Sequence, residues 1–261
     1  MKKVLCPIDF SDVSMNTTAY AAKIAQISNA ELILFHEHSL WSNPEELVTG
    51  SAATTESIAS ELEERAVQIS GAFHISCYAD VVSSTKPLSS LIEDHADDID
   101  LIVIGIERET DLIKEVFGSL SFRLIQNVRV PVILVPENYT YQSIDKIVFA
   151  FDPYEKSETP IDQLVEWAGC WKSEIQLLEG VDGPDSADSV GGDMAKREYV
   201  VIHRINRNEL ADEIQSFIVK GNVSMLAMFV RDRKMIQRIM HRSLIQKLEA
   251  VTTIPLFIFH E

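Results

Sequence analysis

Residues 3–9 read KVLCPID and residues 146–152 read KIVFAFD. Each is a short apolar run closed by an acid, Asp9 in one and Asp152 in the other. That is the pattern of a strand buried on both faces, with a polar residue where it leaves the sheet. The echo returns further along. Residues 117–135 read FGSLSFRLIQNVRVPVILV and residues 241–259 read HRSLIQKLEAVTTIPLFIF. In both, Ser-Leu leads into a helix-like stretch and a proline opens a second apolar run. One fold used twice accounts for both echoes. The first copy carries Gly105, Gly118 and Ser119; the aligned places in the second hold Phe229, Arg242 and Ser243. Glycines at strand-to-helix corners let the backbone approach a phosphate closely. A nucleotide site is therefore expected in the first half only.

The copies also differ in length. Asp9 and Pro131 are 122 positions apart, Asp152 and Pro255 only 103, which leaves the second copy 19 shorter. The shortfall falls after its second strand, where residues 180–195 are rich in Gly, Asp and Ser. A mobile loop is expected there in place of a helix, because such a segment has little apolar surface to bury.

A chain of 261 residues accommodates two domains comfortably. A formal net charge of −17 argues against nucleic-acid binding, which concentrates Lys and Arg. The acidity suits a solvated surface. The N-terminus reads as a strand rather than a leader, and no apolar run is long enough to span a bilayer. The three cysteines, Cys6, Cys77 and Cys170, are odd in number and far apart. Cys6 and Cys77 fall in apolar runs and read as buried small residues, and the expected compartment is the reducing cytoplasm.

Periodicity predicts strands over 3–8, 31–36, 73–82, 101–104 and 132–135. It predicts helices over 11–27, 54–70, 87–96 and 119–127, with Ser11 or Ser14 as the first cap. Residues 40–50 read as a loop. After a polar linker at 138–143 the pattern restarts. Strands are predicted over 146–151, 175–178, 199–205, 225–230 and 256–259, and helices over 161–169, 209–219 and 235–250. Strands alternating with helices predict an α/β fold with parallel sheets covered on both faces. The expected domains are residues 1–138 and 144–261.

Asp9 closes the first strand, Gly105 closes the fourth (DLIVIG, 100–105), and Gly118-Ser119 opens the following helix. In doubly wound sheets ligands sit outside the carboxyl ends of the strands. Backbone N–H groups at Gly118, Ser119 and Leu120 would face an anion, and Asp9 would accept from an amine or a sugar hydroxyl. Read without further context, Gly105 and Gly118 are also ordinary turn residues. His36-Glu37-His38 places two imidazoles on one strand face, but with no evident third ligand no metal is expected. Trp167 and Trp171 are spaced to line one helix face in the core. Arg231-Asp-Arg-Lys234 reads as a solvated turn.

Taken together, these features resemble the universal stress protein family. PIDFSDVS (7–14) resembles the family's opening motif, and DLIVIG followed by FGSLSFRLIQNVRVPVILVP resembles its C-terminal signature. The likeness covers residues 1–138 and is weaker over 144–180 and 223–260. It implies two tandem five-stranded doubly wound domains of the adenine-nucleotide α-hydrolase type, related by a pseudo-two-fold axis. Many members bind ATP through a glycine, two residues, a second glycine, nine residues, then Gly-Ser or Gly-Thr. Here Gly105 and Gly118-Ser119 stand in place, but Arg108 occupies the second glycine position. Its guanidinium would either contact a phosphate or fill the cradle, and Glu107 and Glu109 flank it.

The expected ligand is ATP or another adenine nucleotide, held in the first domain by Pro7, Asp9, Gly105, Arg108, Gly118, Ser119 and Leu120. The expected role is a binding and regulatory module of the stress response rather than a dedicated enzyme, with no catalytic residue assigned. The rivals on the same fold are a ligand-free protein-interaction scaffold and a slow ATP hydrolase. The apolar fifth strands suggest that the halves pair as an intramolecular pseudo-dimer, with a homodimer of chains beyond that.

Overall fold

The computed structural model describes residues 2–39, 52–106, 118–151, 161–181, 199–206, 209–220, 223–230 and 253–260. The chain forms two compact units, the first running to Tyr141 and the second from Gln142. Unit 1 contains β1 (Lys3–Pro7), α1 (Asp12–Ser28), β2 (Glu31–Ser39), α2 (Ala52–Phe73), β3 (Cys77–Ser84), α3 (Leu88–Asp94), β4 (Leu101–Ile106), α4 (Gly118–Asn127) and β5 (Val132–Pro136). Unit 2 contains β6 (Lys146–Phe151), α5 (Ile161–Trp171), β7 (Glu174–Val181), β8 (Val200–Asn206), α6 (Leu210–Lys220), β9 (Met225–Val230) and β10 (Leu256–His260).

Within unit 1 the strands lie in the order β3-β2-β1-β4-β5, and within unit 2 in the order β8-β7-β6-β9-β10. Numbered within its own unit, each order is 3-2-1-4-5, and every pairing within a unit is parallel. The repeat in sequence is thus a repeat in topology. The central strands are apolar along their whole length because helices cover both faces: Val4, Leu5, Leu101 to Val103 and Val132 to Val135 are buried. At the end of unit 1's order, β3 leaves Tyr78 51 % exposed, the mark of a strand covered less completely.

Helix α1 starts where its cap predicts. The Ser11 hydroxyl accepts from the Ser14 amide at 3.2 Å. The helix stops at Asn29, which takes a left-handed conformation (φ 50°) and donates its amide to Ala25 and Gln26. Its sheet-facing residues are small: Ser14, Thr17, Thr18, Ala21 and Ala25 are buried, so the helix lies close to the strands. Ile27, in the last turn of α1, is 36 % exposed.

Two boundaries depart from expectation for visible reasons. Phe73, read as the start of the third strand, ends α2 instead. His74 adopts φ 54° to close the helix. Lys23 stacks its ammonium 5.2 Å from the Phe73 ring, and Gln26 donates to the Phe73 carbonyl at 2.6 Å. The expected linker at 138–143 is packed at its near end. Tyr139 and Tyr141 set their rings 6.0 and 5.4 Å from Tyr20, and Asn16 donates to the carbonyls of Glu137 and Tyr139 at 3.0 Å each.

In unit 2, β7 runs on through Gly180 and Val181. The rest of the stretch expected as a loop, residues 182–195, lies outside the described residues, as do the expected loop 40–50, the basic turn 231–234 and the expected helix 235–250. Trp167 and Trp171 are buried with rings 5.5 Å apart, and Trp171 packs edge-on against Phe257. Among the described residues no helix is long and apolar enough to cross a membrane.

Candidate functional site

In unit 1 the strand order turns between β1 and β4, whose register is Val4↔Leu101 and Leu5↔Ile102. Continued upward, that register sets Pro7 beside Ile104 and brings Asp9 and Gly105 to the same carboxyl edge. Pro7 is buried as the last residue of β1, and Asp9 stands exposed just beyond it. Gly105 pairs with Val135 in β5. Gly118, Ser119 and Leu120 form the first turn of α4. Arg108 lies outside the described residues.

The corner after β1 is tightly specified. Ser11 donates both its amide (3.0 Å) and its hydroxyl (2.6 Å) to Asp9 Oδ1. Partial burial pushes the Asp9 carboxyl upward, but hydrogen bonds from the Ser11 hydroxyl and amide, and from Ser14, outweigh it. The net result lies below the ordinary carboxylate value. Phe10, between them, holds φ 63°, a left-handed conformation uncommon for a bulky residue. Its ring lies 5.0 Å from that of His36, and the Arg65 guanidinium of α2 sits over the Phe10 ring, 5.8 Å from its centroid. Arg65 Nη1 is buried with no hydrogen-bond partner among the described residues. His36 Nδ1 donates to the Ile8 carbonyl at 2.7 Å, tying β2 to the corner. Among the described residues no His, Cys, Asp and Glu group could hold a metal ion.

Gly105 has a reason for being glycine that the sequence did not disclose. A Cβ there would come within 2.6 Å of Val13 Cγ1, and closer still to Thr17 Oγ1. The space above Gly105 belongs to α1, so the glycine seats the helix whose leading corner presents Asp9. Sequence reasoning also passed over Phe10 and Arg65. A half-buried arginine over the Phe10 ring is visible only once α2 is laid over the corner.

The row of strand positions through Gly105 can be followed across each unit. In unit 1 it runs Val135, Gly105, Ile8, His36, Val81, extending the observed registers. In unit 2 the matching row runs Phe259, Phe229, Phe151, Glu179, Arg204. Phe229 is buried and its ring stacks 5.6 Å from Phe259, which in turn lies 5.5 Å from Phe149. Aromatic side chains fill the level at which unit 1 leaves a glycine gap.

A parallel five-stranded sheet ordered 3-2-1-4-5, with an acid after its first strand and a Gly-Ser helix start after its fourth, defines a doubly wound α/β domain, an architecture in which ligands sit outside the strand carboxyl ends. The universal stress protein family model matches residues 1–136, and the chain belongs to that family. The chain is similar to a universal stress protein from Archaeoglobus fulgidus DSM 4304, over 99 % of this chain and 96 % of that one, with 14 % identity and a TM-score of 0.67. It is also similar to a putative universal stress protein from Pseudomonas aeruginosa UCBPP-PA14, over 100 % of this chain and 93 % of that one, with 13 % identity and a TM-score of 0.58. These likenesses are of fold. No curated protein sequence matches the chain.

Proposed function

We propose that unit 1 binds an adenine nucleotide, ATP first among them, and that the chain serves the stress response as a nucleotide-responsive binding module. The observation that carries this reading is the corner at Asp9. An exposed carboxylate is held ionised by Ser11 on the carboxyl edge of β1, next to β4 and on the edge from which the Gly118-Ser119 helix start follows. In this reading Asp9 accepts from the ribose or the adenine amine, and Pro7 shapes the floor. The amides of Gly118, Ser119 and Leu120 meet the phosphates at the positive end of α4. Arg65 adds a positive charge beside the same corner. Gly105 contributes by seating α1, and Arg108, which lies between β4 and α4 in the sequence, contacts a phosphate. No group in this set is poised to activate water, which favours a binder over a hydrolase.

Calorimetry of the full chain with ATP tests the reading. Saturable binding is expected in the wild type and none in Gly118→Val, whose side chain fills the phosphate position. Arg108→Ala should weaken binding by about 1.5–3 kcal/mol, the worth of a hydrogen bond to a charged group. A gain in affinity from Arg108→Gly would show instead that the side chain blocks the cradle. A wild type that takes up no ATP would return the protein to the scaffold reading.

A further inference from the structure

Unit 2 buries a charge that the side chains among its described residues do not fully answer. Glu179, on β7, is wholly buried. Its Oε2 accepts one hydrogen bond, from Arg204 Nε at 3.3 Å, and that arginine side chain is 58 % exposed. Its Oε1 is buried with no hydrogen-bond partner among the described residues. Folded proteins rarely leave a buried carboxylate oxygen without a donor, because desolvating it is costly.

A second unanswered acceptor lies on the same face and at the same end. Gln163, in the first turn of α5, also has a buried Oε1 with no partner among the described residues. The far end of α5 is fixed below the sheet, where the Ser173 hydroxyl donates to the Ile144 carbonyl just before β6. Trp171 packs on Phe257. Phe257, Ala227, Phe149 and Leu177 share one row, and Glu179 follows Leu177 by two residues, so it projects to the face that α5 covers. The first turn of α5 therefore stands over the carboxyl edge that Glu179 approaches. Along that face run the rings of Phe229, Phe259 and Phe149.

We propose that this edge of unit 2 binds the primary ammonium group of a small amine. Two buried acceptors without a partner among the described residues suit a ligand that brings donors, which phosphate does not. Arg204 reaches only Oε2 of the buried carboxylate, so a second positive group at Oε1 would complete its hydrogen bonding. An ammonium supplies three N–H donors and is attracted to aromatic faces. A hard divalent cation needs six or more oxygen ligands, and the described residues gather no such set. The proposal is independent of nucleotide binding in unit 1.

The test is an NMR titration of the ¹⁵N-labelled full chain with butylammonium chloride, against sodium chloride at equal ionic strength. Saturable shifts at the amides of Glu179 and Arg204 are expected with the amine and not with sodium. Glu179→Gln should abolish them. Gln163→Ala, at a half-buried helix position, should raise the apparent Kd severalfold while the rest of the spectrum stays native, which keeps the test decisive if Glu179→Gln does not fold. The proposal is overturned if the wild type gives no saturable response, if the response survives both substitutions unchanged, or if calcium chloride reproduces it.

Discussion

The two units share strand order and a left-handed residue at the end of their first helices, yet one level of the sheet differs sharply between them. Asn29 and Lys172 each stand 20 residues past their acid and each takes a left-handed conformation to end the helix, at φ 50° and 59°. Just below the carboxyl edge, however, unit 1 sets Gly105 and His36 where unit 2 sets Phe229 and Glu179. In unit 1 the missing side chain makes room for Val13 and Thr17, so α1 settles onto the sheet and its leading corner offers an ionised Asp9. In unit 2 that level is occupied by rings and a buried carboxylate. The lesson is that the loss of one glycine reaches beyond a phosphate cradle. In unit 1 the glycine sets how closely the neighbouring helix can lie on the sheet.

The comparison is broken most forcefully by emptying unit 2's row. Phe229→Ala removes a buried ring from between its neighbours and should cost about 3–5 kcal/mol, read as a lowered midpoint in urea unfolding. A cost below about 1 kcal/mol would show that the ring is not structural. The converse change in unit 1 adds only a methyl group. Gly105→Ala should nonetheless destabilise by about 1–3 kcal/mol, since the new carbon meets Val13 and Thr17. Adding Thr17→Ala should restore part of that loss, a coupling that a double-mutant cycle measures.

Smaller effects sharpen the account of the Asp9 corner. Ser11→Ala removes the cap of α1 and should cost about 1 kcal/mol. It should also change the acid limb of the stability curve. The folded pKa of Asp9 lies below its unfolded value of about 3.9. Its contribution is therefore present above that value and is lost as pH falls through the folded pKa. Without the Ser11 hydroxyl, and with only the backbone amide left to donate, this part of the acid limb should flatten. The smallest effect is chemical: burial pushes the Cys6 and Cys77 thiols up to about 12, so iodoacetamide at neutral pH should leave both unlabelled in the native chain, as mass spectrometry will show.

The repeat, the alternation of strands and helices and the cap at Ser11 were legible in the sequence because each rests on local pattern. Apolar runs, a proline or glycine at a corner and a serine before a helix carry their own physics. What was not legible depended on contacts between distant segments. Gly105 read as a phosphate glycine because nothing in DLIVIG tells of Val13 and Thr17. Phe73 read as a strand residue because its apolar neighbours suit either state until Lys23 and Gln26 hold it. Tyr139 and Tyr141 read as linker because Tyr20, their partner, is more than a hundred residues away. Glu179 looked like one acid among 40 Asp and Glu, and only its burial singles it out.

The central claim is that the nucleotide edge belongs to unit 1 alone. Hydrogen–deuterium exchange of the full chain with and without saturating ATP tests it most directly. The account predicts slowed exchange at Ile8 to Ser14 and at Gly118 to Ser121, with no change across Phe149 to Val181 or Met225 to Val230. Protection confined to the unit 2 segments would contradict it.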